Sequence, residues 1–177
     1  MRTPTTTPAE AAELLRVDQE LLLTRIDGRT EAELRAPYRV AAGPLGHFCD
    51  SLHDLIAHIL MWDEITLSVL RDAKAGRLHW SLDPRWETAE IGSALNIGGV
   101  EAGRHLPSEL LRHRFDSVGV ALIAEIEQYD EKSWAVPSTG GGVDGGVGAL
   151  AEYASTPPNG IVVGHAARHL QPAPVSA

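Results

Sequence analysis

The chain has 177 residues and is short of the features that mark several protein classes. Its single cysteine, Cys49, excludes an internal disulfide and fits a reducing cytoplasm. No apolar run approaches the roughly 20 residues needed to cross a bilayer, which argues against a membrane partner. The N-terminal segment MRTPTTTPAEAAELL lacks the apolar stretch of a secretory signal. We therefore expect a cytoplasmic protein.

Positive charge is also scarce. The chain has 15 Lys and Arg against 24 Asp and Glu, which gives a net charge of −9. No cluster of basic residues is present, and this argues against a phosphate-binding surface and a nucleic-acid partner. Apolar residues make up 44% of the sequence, enough for the packed core of one globular domain. The sequence leaves a homodimer open.

Helical periodicity dominates what remains. The spacing predicts helices over residues 8–26, 52–75, 88–105 and 108–129. Thr7 is placed to cap the first helix and Ser51 the second, while Gly28 and Gly76 end them. In the first helix the apolar positions are Leu14, Leu15, Val17, Leu21, Leu22 and Ile26.

The connecting segments contain many Gly and Pro residues. Residues 31–50 and 77–87 are predicted to be irregular, and six glycines within 140–148 favour a loop over residues 133–148. A short helix is expected over 147–153 and a last helix over 159–170. No segment shows strand alternation. The fold class predicted is therefore all-α, a four-helix bundle with an irregular segment before the last helix.

Three histidines carry the main chemical prediction. His165 and His169 are four residues apart, so a helix would place them on one face, one turn apart. His58 falls on the predicted inward face of the second helix. Three imidazoles that meet at one point can hold a divalent metal and leave positions open for water or substrate. Zinc, nickel and ferrous iron all suit neutral imidazole ligands.

Two sequence patterns resemble those of the DinB-like superfamily. The string DLIAHILMW, which contains His58 and Trp62, resembles the pattern in which that family places its first metal ligand, and HAARH resembles its closing motif. More closely, RWETAEIGSALN with Trp86 and Asn96, and the Tyr153 segment, resemble the ClbS/DfsB group. The resemblance covers residues 9–170. It implies a single DinB-like domain over residues 1–177, with metal ligands His58, His165 and His169.

The resemblance also implies a function. The superfamily includes metal- and thiol-dependent transferases and isomerases, and the ClbS/DfsB group includes a self-resistance hydrolase that opens an electrophilic cyclopropane. ClbS-type members usually have one histidine in the closing motif, whereas this chain has two, which favours the metal-dependent branch. We expect thiol S-transfer or isomerisation of a reactive electrophilic small molecule, in detoxification or natural-product metabolism. The alternatives are a ClbS-like hydrolase and a toxin-sequestering protein without turnover. The alanine, arginine and glycine bias is typical of actinobacteria, where mycothiol would be the thiol.

Other residues have expected roles around the metal. Asp54, one turn before His58, is the candidate catalytic acid or base. Asp63 and Glu64 are weaker candidates for the same work or for supporting the ligands. Cys49 is expected to be a small buried residue. The remaining histidines are expected on the surface or in loops. The candidates for contact with substrate are Trp62, Trp86, Asn96 and Tyr153.

Overall fold

The computed structural model describes residues 6–40, 48–83, 85–86, 88–135 and 164–170. These residues form seven α-helices and one 3₁₀ turn, at Trp80–Leu82, and no strand beyond an isolated bridge between Pro37 and Ser51. The prediction of an all-α bundle is confirmed. The helices are α1 Pro8–Ile26, α2 Glu31–Arg35, α3 Leu52–Lys74, α4 Ala89–Arg104, α5 Ser108–Ile126, α6 Glu131–Trp134 and α7 His165–His169.

The ends of α1 and α3 follow from local chemistry. The Thr7 hydroxyl accepts a hydrogen bond from the Glu10 amide, and the Glu10 carboxylate accepts one from the Thr7 amide, so α1 begins with a complete capping box. At the start of α3, the Ser51 hydroxyl accepts a hydrogen bond from the Asp54 amide. Past their C-terminal ends, Gly28 and Gly76 have a positive φ of 68°, a conformation that glycine adopts without strain.

Helix α2 corrects the expectation that residues 31–50 are irregular throughout. Thr30 and Glu33 form a second capping box, which starts a five-residue helix, and Leu34 anchors it in the core. Helix α6 likewise follows a capping box, formed by Asp130 and Ser133; it extends two residues into the loop predicted over 133–148, and Trp134 is buried at its end. The predicted helix over 147–153, the glycine-rich segment 140–148 and residues 159–163 lie outside the described residues.

Helix α3 is central to the bundle. It packs against α4 and α5, α1 packs against α5, and α7 contacts both α1 and α3. Gly103 allows the close approach of α4 to α3, because a Cβ at this position would lie 2.3 Å from the Cβ of Ala57. None of the helices described is both long and apolar enough to cross a bilayer.

The core has two apolar clusters with a polar layer between them. Leu22, Leu60 and Phe115 belong to the first cluster, and Leu15, Leu67 and Leu122, on the same three helices, belong to the second. Between these positions α1 and α3 bury four polar side chains, which we call the polar layer: Asp18, Gln19, Asp63 and Thr66. Buried polar groups destabilise a fold unless they find partners, so such a layer points to a role beyond packing.

Candidate metal centre

His58, His165 and His169 are all buried, with exposed fractions of 2%, 9% and 3%. His58 projects from the middle of α3, where the apolar side chains around it, such as Leu55 and Ile59, form the first cluster. The other two histidines are the first and last residues of α7. The fold therefore brings together side chains more than a hundred positions apart in the sequence.

The geometry of the three rings suits a small ion. One nitrogen from each ring can be chosen so that all three lie within 4.8 Å of one another. The Nε2 atoms of His58 and His165 are 3.0 Å apart, and the ring centroids are separated by 4.8, 5.0 and 5.3 Å. Two nitrogens bound tetrahedrally to zinc at about 2.0–2.1 Å would be about 3.3 Å apart. Small side-chain rotations would thus bring the rings to ligand geometry.

Burial keeps two of these rings neutral. Burial, with a smaller contribution from the repulsion of His169, lowers the pKa of His58 to about 3. Burial also lowers the pKa of His165 well below its ordinary value, with the neighbouring His58 and His169 adding to the effect. A neutral imidazole has a free lone pair, which is the form that binds a metal.

Among the His, Cys, Asp and Glu side chains of the described residues, the three histidines are the one group whose ligand atoms are close enough together to hold an ion. In the same part of the chain, the buried Nδ1 atoms of His58 and His165 have no hydrogen-bond partner, while their Nε2 atoms face each other. The buried carboxylate of Asp18 bonds to the first turn of α7 and interacts with His169, and a negative charge there suits a bound cation.

Asp18 was not singled out from the sequence. Its two carboxylate oxygens accept hydrogen bonds of 2.8 Å from the amides of Ala166 and Ala167, in the first turn of α7. Burial raises the pKa of Asp18, and the bonds from the backbone of α7 oppose that effect. A signal was present, since Asp18 follows Leu15 by three positions and precedes Leu22 by four, on the inward face of α1.

Asp63 is the second carboxylate of the polar layer. It is buried, and its Oδ2 atom has no hydrogen-bond partner among the described residues. Burial raises its pKa well above the ordinary value, and the charges of Asp18 and Glu64 raise it further. Glu64, by contrast, points outward and pairs with Arg114 at 2.7 Å.

Asp54 accepts hydrogen bonds on the side of α3 that faces α4. Its two oxygens lie 3.1 Å from the Arg104 guanidinium, and Oδ2 also accepts a hydrogen bond from the Asp50 amide. Arg104 in turn donates to the carbonyl of Phe48. These contacts tie the start of α3 to the end of α4, and the bond from Arg104 helps to lower the pKa of Asp54 against the effect of burial.

The residues expected to contact substrate fall into three groups. Trp62 and Asn96 are brought together, because the indole Nε1 donates a 2.8 Å hydrogen bond to Asn96 Oδ1. Trp86 is 47% exposed and packs against the Arg85 guanidinium, 5.7 Å from its ring centroid. Tyr153 lies outside the described residues.

Cys49 and His53, at the start of α3, are both buried. Cys49 is buried as expected, and burial together with the nearby Asp54 and Asp50 raises the pKa of its thiol to about 12. His53 is not a surface residue. It is 1% exposed, and its Nε2 lies 3.1 Å from the Leu106 carbonyl, because the first turn of α3 is covered by the α4–α5 connection.

Comparison with known proteins identifies the fold. No protein-family model and no curated protein matches the sequence. Among solved structures, ClbS, described as a colibactin self-resistance protein in complex with double-stranded DNA, matches with a TM-score of 0.67 and 15% identity, over 84% of this chain and 86% of its own. The protein described as Sibling Lethal Factor Precursor - DfsB matches with a TM-score of 0.65 and 16% identity, over 84% and 86% of the two chains.

A third match is an uncharacterised protein from Escherichia coli, with a TM-score of 0.66 and 14% identity over 84% of this chain and 83% of its own. At these identities the likeness concerns the arrangement of the helices. The chain therefore has a ClbS/DfsB-like fold.

Proposed function

We propose that this protein is a metal-dependent enzyme that acts on a reactive electrophilic small molecule. The observation that carries the proposal is the convergence of three buried histidines, whose ligand nitrogens lie within 4.8 Å of one another. The Nε2 atoms of His58 and His165 lie 3.0 Å apart, which is close to the separation of two nitrogens bound to one ion. The proposal assigns a divalent ion, zinc, nickel or iron, to His58, His165 and His169.

The three histidines would leave at least one coordination position open. When bound there, a divalent ion lowers the pKa of a coordinated water or thiol towards neutrality and so makes it nucleophilic. We assign the nucleophile to a low-molecular-weight thiol such as mycothiol, and the reaction to S-transfer or isomerisation. The neutral state of His58 and His165 supports metal binding, because protons would not compete for their nitrogens at neutral pH.

The residues around the histidines receive proposed roles. Trp62 follows His58 by one helical turn, and we propose that Trp62, Asn96, Trp86 and Tyr153 contact the substrate. The hydrogen bond between Trp62 and Asn96 supports this by fixing the orientation of the indole. Asp54 is proposed as the acid or base, and its salt bridge with Arg104 favours the ionised form, which accepts a proton.

The first test is metal analysis by mass spectrometry of untagged protein. About one equivalent of metal is expected in the wild type, with loss in His165→Ala. The matched control is His105→Ala, which removes an exposed histidine and should keep the metal. Absence of metal from the wild type, or its retention in His165→Ala, would contradict the proposal.

A second candidate is a ClbS-like self-resistance hydrolase, favoured by the fold shared with ClbS. In that case water opens an electrophile such as a cyclopropane, and His58→Ala should keep activity without metal. A third candidate is a sequestering protein without turnover. With excess activated cyclopropane as the probe, product above one equivalent per chain would exclude sequestration, and the His58→Ala variant would separate the two enzymes.

The ClbS structure contains double-stranded DNA, so nucleic-acid binding needs its own test. We propose that this chain does not bind DNA, because its net charge of −9 opposes a phosphate backbone. Fluorescence anisotropy with a labelled duplex at about 150 mM salt is expected to show no binding. Saturable binding under these conditions would overturn this expectation.

A further inference from the structure

We infer that Asp18 is a positioning residue whose carboxylate holds α7 in the place where His165 and His169 meet His58. The inference deepens the proposed function and rests on its metal site. Asp18 lies on α1, which contributes no histidine to the cluster. Its role is therefore exerted through the backbone of the helix that carries the other two ligands.

Helix α7 needs such a support. It has five residues, and no side chain at its N-cap, Gly164, accepts a hydrogen bond from its first turn. Helices this short are not stable on their own, and their first amides need acceptors from elsewhere. The Asp18 carboxylate supplies two, one oxygen to the Ala166 amide and the other to the Ala167 amide, each at 2.8 Å.

The position of these two bonds links them directly to the ligands. The Ala166 amide follows His165 in the chain, and the Ala167 amide lies two residues before His169. Both oxygens of one carboxylate are engaged, so the two bonds fix the orientation of the first turn as well as its distance from α1. Because His165 and His169 lie one turn apart on the same short helix, a shift of α7 would move both rings away from His58.

Burial strengthens the bond to Ala166 in particular. Asp18 is 6% exposed and Ala166 is fully buried in the first apolar cluster, so water does not compete for the Ala166 amide, whereas the bond to the Ala167 amide is partly buried. A carboxylate that accepts backbone N–H bonds at a helix N-terminus gains both from its charge and from the helix dipole. Asp18 is not among the groups that lie within ligand distance of one another in the described part of the chain. Its contribution is thus to position the ligands and not to bind the metal.

The test compares Asp18→Ala with the isosteric Asp18→Asn. Asparagine keeps the shape and one acceptor oxygen but loses the second acceptor and the charge. The control is Glu125→Gln, which alters another buried carboxylate, paired with Arg71 and Lys74 on the far side of the second cluster from α7. Each protein is titrated with cobalt(II), whose visible absorption reports the ligand geometry. Amide exchange of Ala166 and Ala167 is followed by NMR without metal, and thermal unfolding gives the stability of each fold.

We expect Asp18→Ala to weaken cobalt binding by about 10- to 100-fold, to alter the cobalt spectrum and to accelerate exchange of both amides by about tenfold or more. Asp18→Asn should lie between Asp18→Ala and the wild type. Glu125→Gln should lower the unfolding temperature without changing cobalt affinity or the exchange of these amides. Cobalt binding by Asp18→Ala as tight as that of the wild type, or an equal loss in Glu125→Gln, would overturn the inference.

The two proposals can fail separately. If the wild type binds no cobalt, the proposed function fails, and the exchange measurement still decides what Asp18 does. Unchanged exchange of the Ala166 and Ala167 amides in Asp18→Ala would overturn its positioning role, whereas faster exchange with an intact unfolding temperature would support it.

Discussion

The indole nitrogen of Trp62 donates a 2.8 Å hydrogen bond to the side-chain oxygen of Asn96, and this bond joins α3 to α4. Both residues are half-buried, and Trp62 lies one turn beyond His58 on the same helix. The bond fixes one edge of the indole, so its remaining surface is held in a single orientation, one turn along α3 from His58. A fixed aromatic surface is what a pocket for a small apolar substrate requires.

Replacement of Trp62 by phenylalanine tests this bond. Trp62→Phe keeps an aromatic ring but removes the donor, and we expect it to lower the free energy of unfolding by about 1 kcal/mol. Urea unfolding measures the change. Trp80→Phe is the control, since Trp80 is 48% exposed, and its effect should stay within about 0.5 kcal/mol. Equal effects in the two variants would show that the hydrogen bond does not join the helices in solution.

The neutral state of the histidines predicts a pH dependence of stability in the metal-free protein. The pKa of His58 falls from 6.5 in the unfolded chain to about 3 in the fold, so between these values the unfolded chain binds a proton that the fold does not. The His58 contribution to stability is therefore lost as the pH falls below about 6.5, whereas the raised pKa of Asp63 acts in the opposite direction. The lowered pKa of His165 acts in the same direction as that of His58.

Between about pH 7.5 and about pH 5.5, we expect the free energy of unfolding of the chelator-treated wild type to fall by about 1 kcal/mol more than that of His58→Gln, in which a neutral amide replaces one titrating ring. Asp63 is present in both proteins, so the difference isolates the His58 ring. Urea unfolding at the two pH values gives the result. An equal change in the two proteins would mean that the His58 ring accepts a proton freely inside the fold.

The salt bridge between Asp54 and Arg104 predicts that their contributions to the free energy of unfolding are coupled. The Asp54 side chain is 4% exposed and that of Arg104 is 32% exposed, so solvent partly screens the salt bridge. We therefore expect Asp54→Asn to destabilise the fold by about 2 kcal/mol, less than the loss of one partner of a fully buried ion pair. Arg104→Gln should have a similar effect, and the double variant should lose clearly less than the sum. Denaturant unfolding of the wild type, the two single variants and the double variant measures these losses. Additive losses would show that the two side chains act independently.

The sequence predicts the long helices well because their ends are set locally. Thr7 and Ser51 begin α1 and α3 at the predicted residues, and Gly28 and Gly76 end them within one residue of the prediction. The same local chemistry starts α2, where Thr30 and Glu33 form a capping box. The prediction of an irregular segment rested on the prolines and glycines further along the chain. Periodicity also placed His58 inside the bundle, as the structure finds.

Which face of α1 is buried could not be read from apolar periodicity alone. Val17 and Leu21 were included in the apolar pattern, yet they are 55% and 44% exposed, whereas Asp18 and Gln19 are buried. The partners that make this arrangement favourable lie far away in the sequence. The amides of α7 satisfy Asp18, and a residue of α5 makes room for Gln19. Long-range pairing of this kind leaves no local pattern.

Gly119 is that residue of α5, and it constrains how the sequence can drift. A Cβ at position 119 would lie 1.1 Å from the Gln19 Nε2 atom, so even alanine requires the glutamine side chain to leave. Alanine is otherwise the better helix former by about 1 kcal/mol. Because the clash is with the flexible end of Gln19, a side chain at position 119 requires Gln19 either to rotate away from α5 or to be replaced by a smaller residue. The two positions are therefore sterically coupled, and a change at position 119 alters the polar layer on α1.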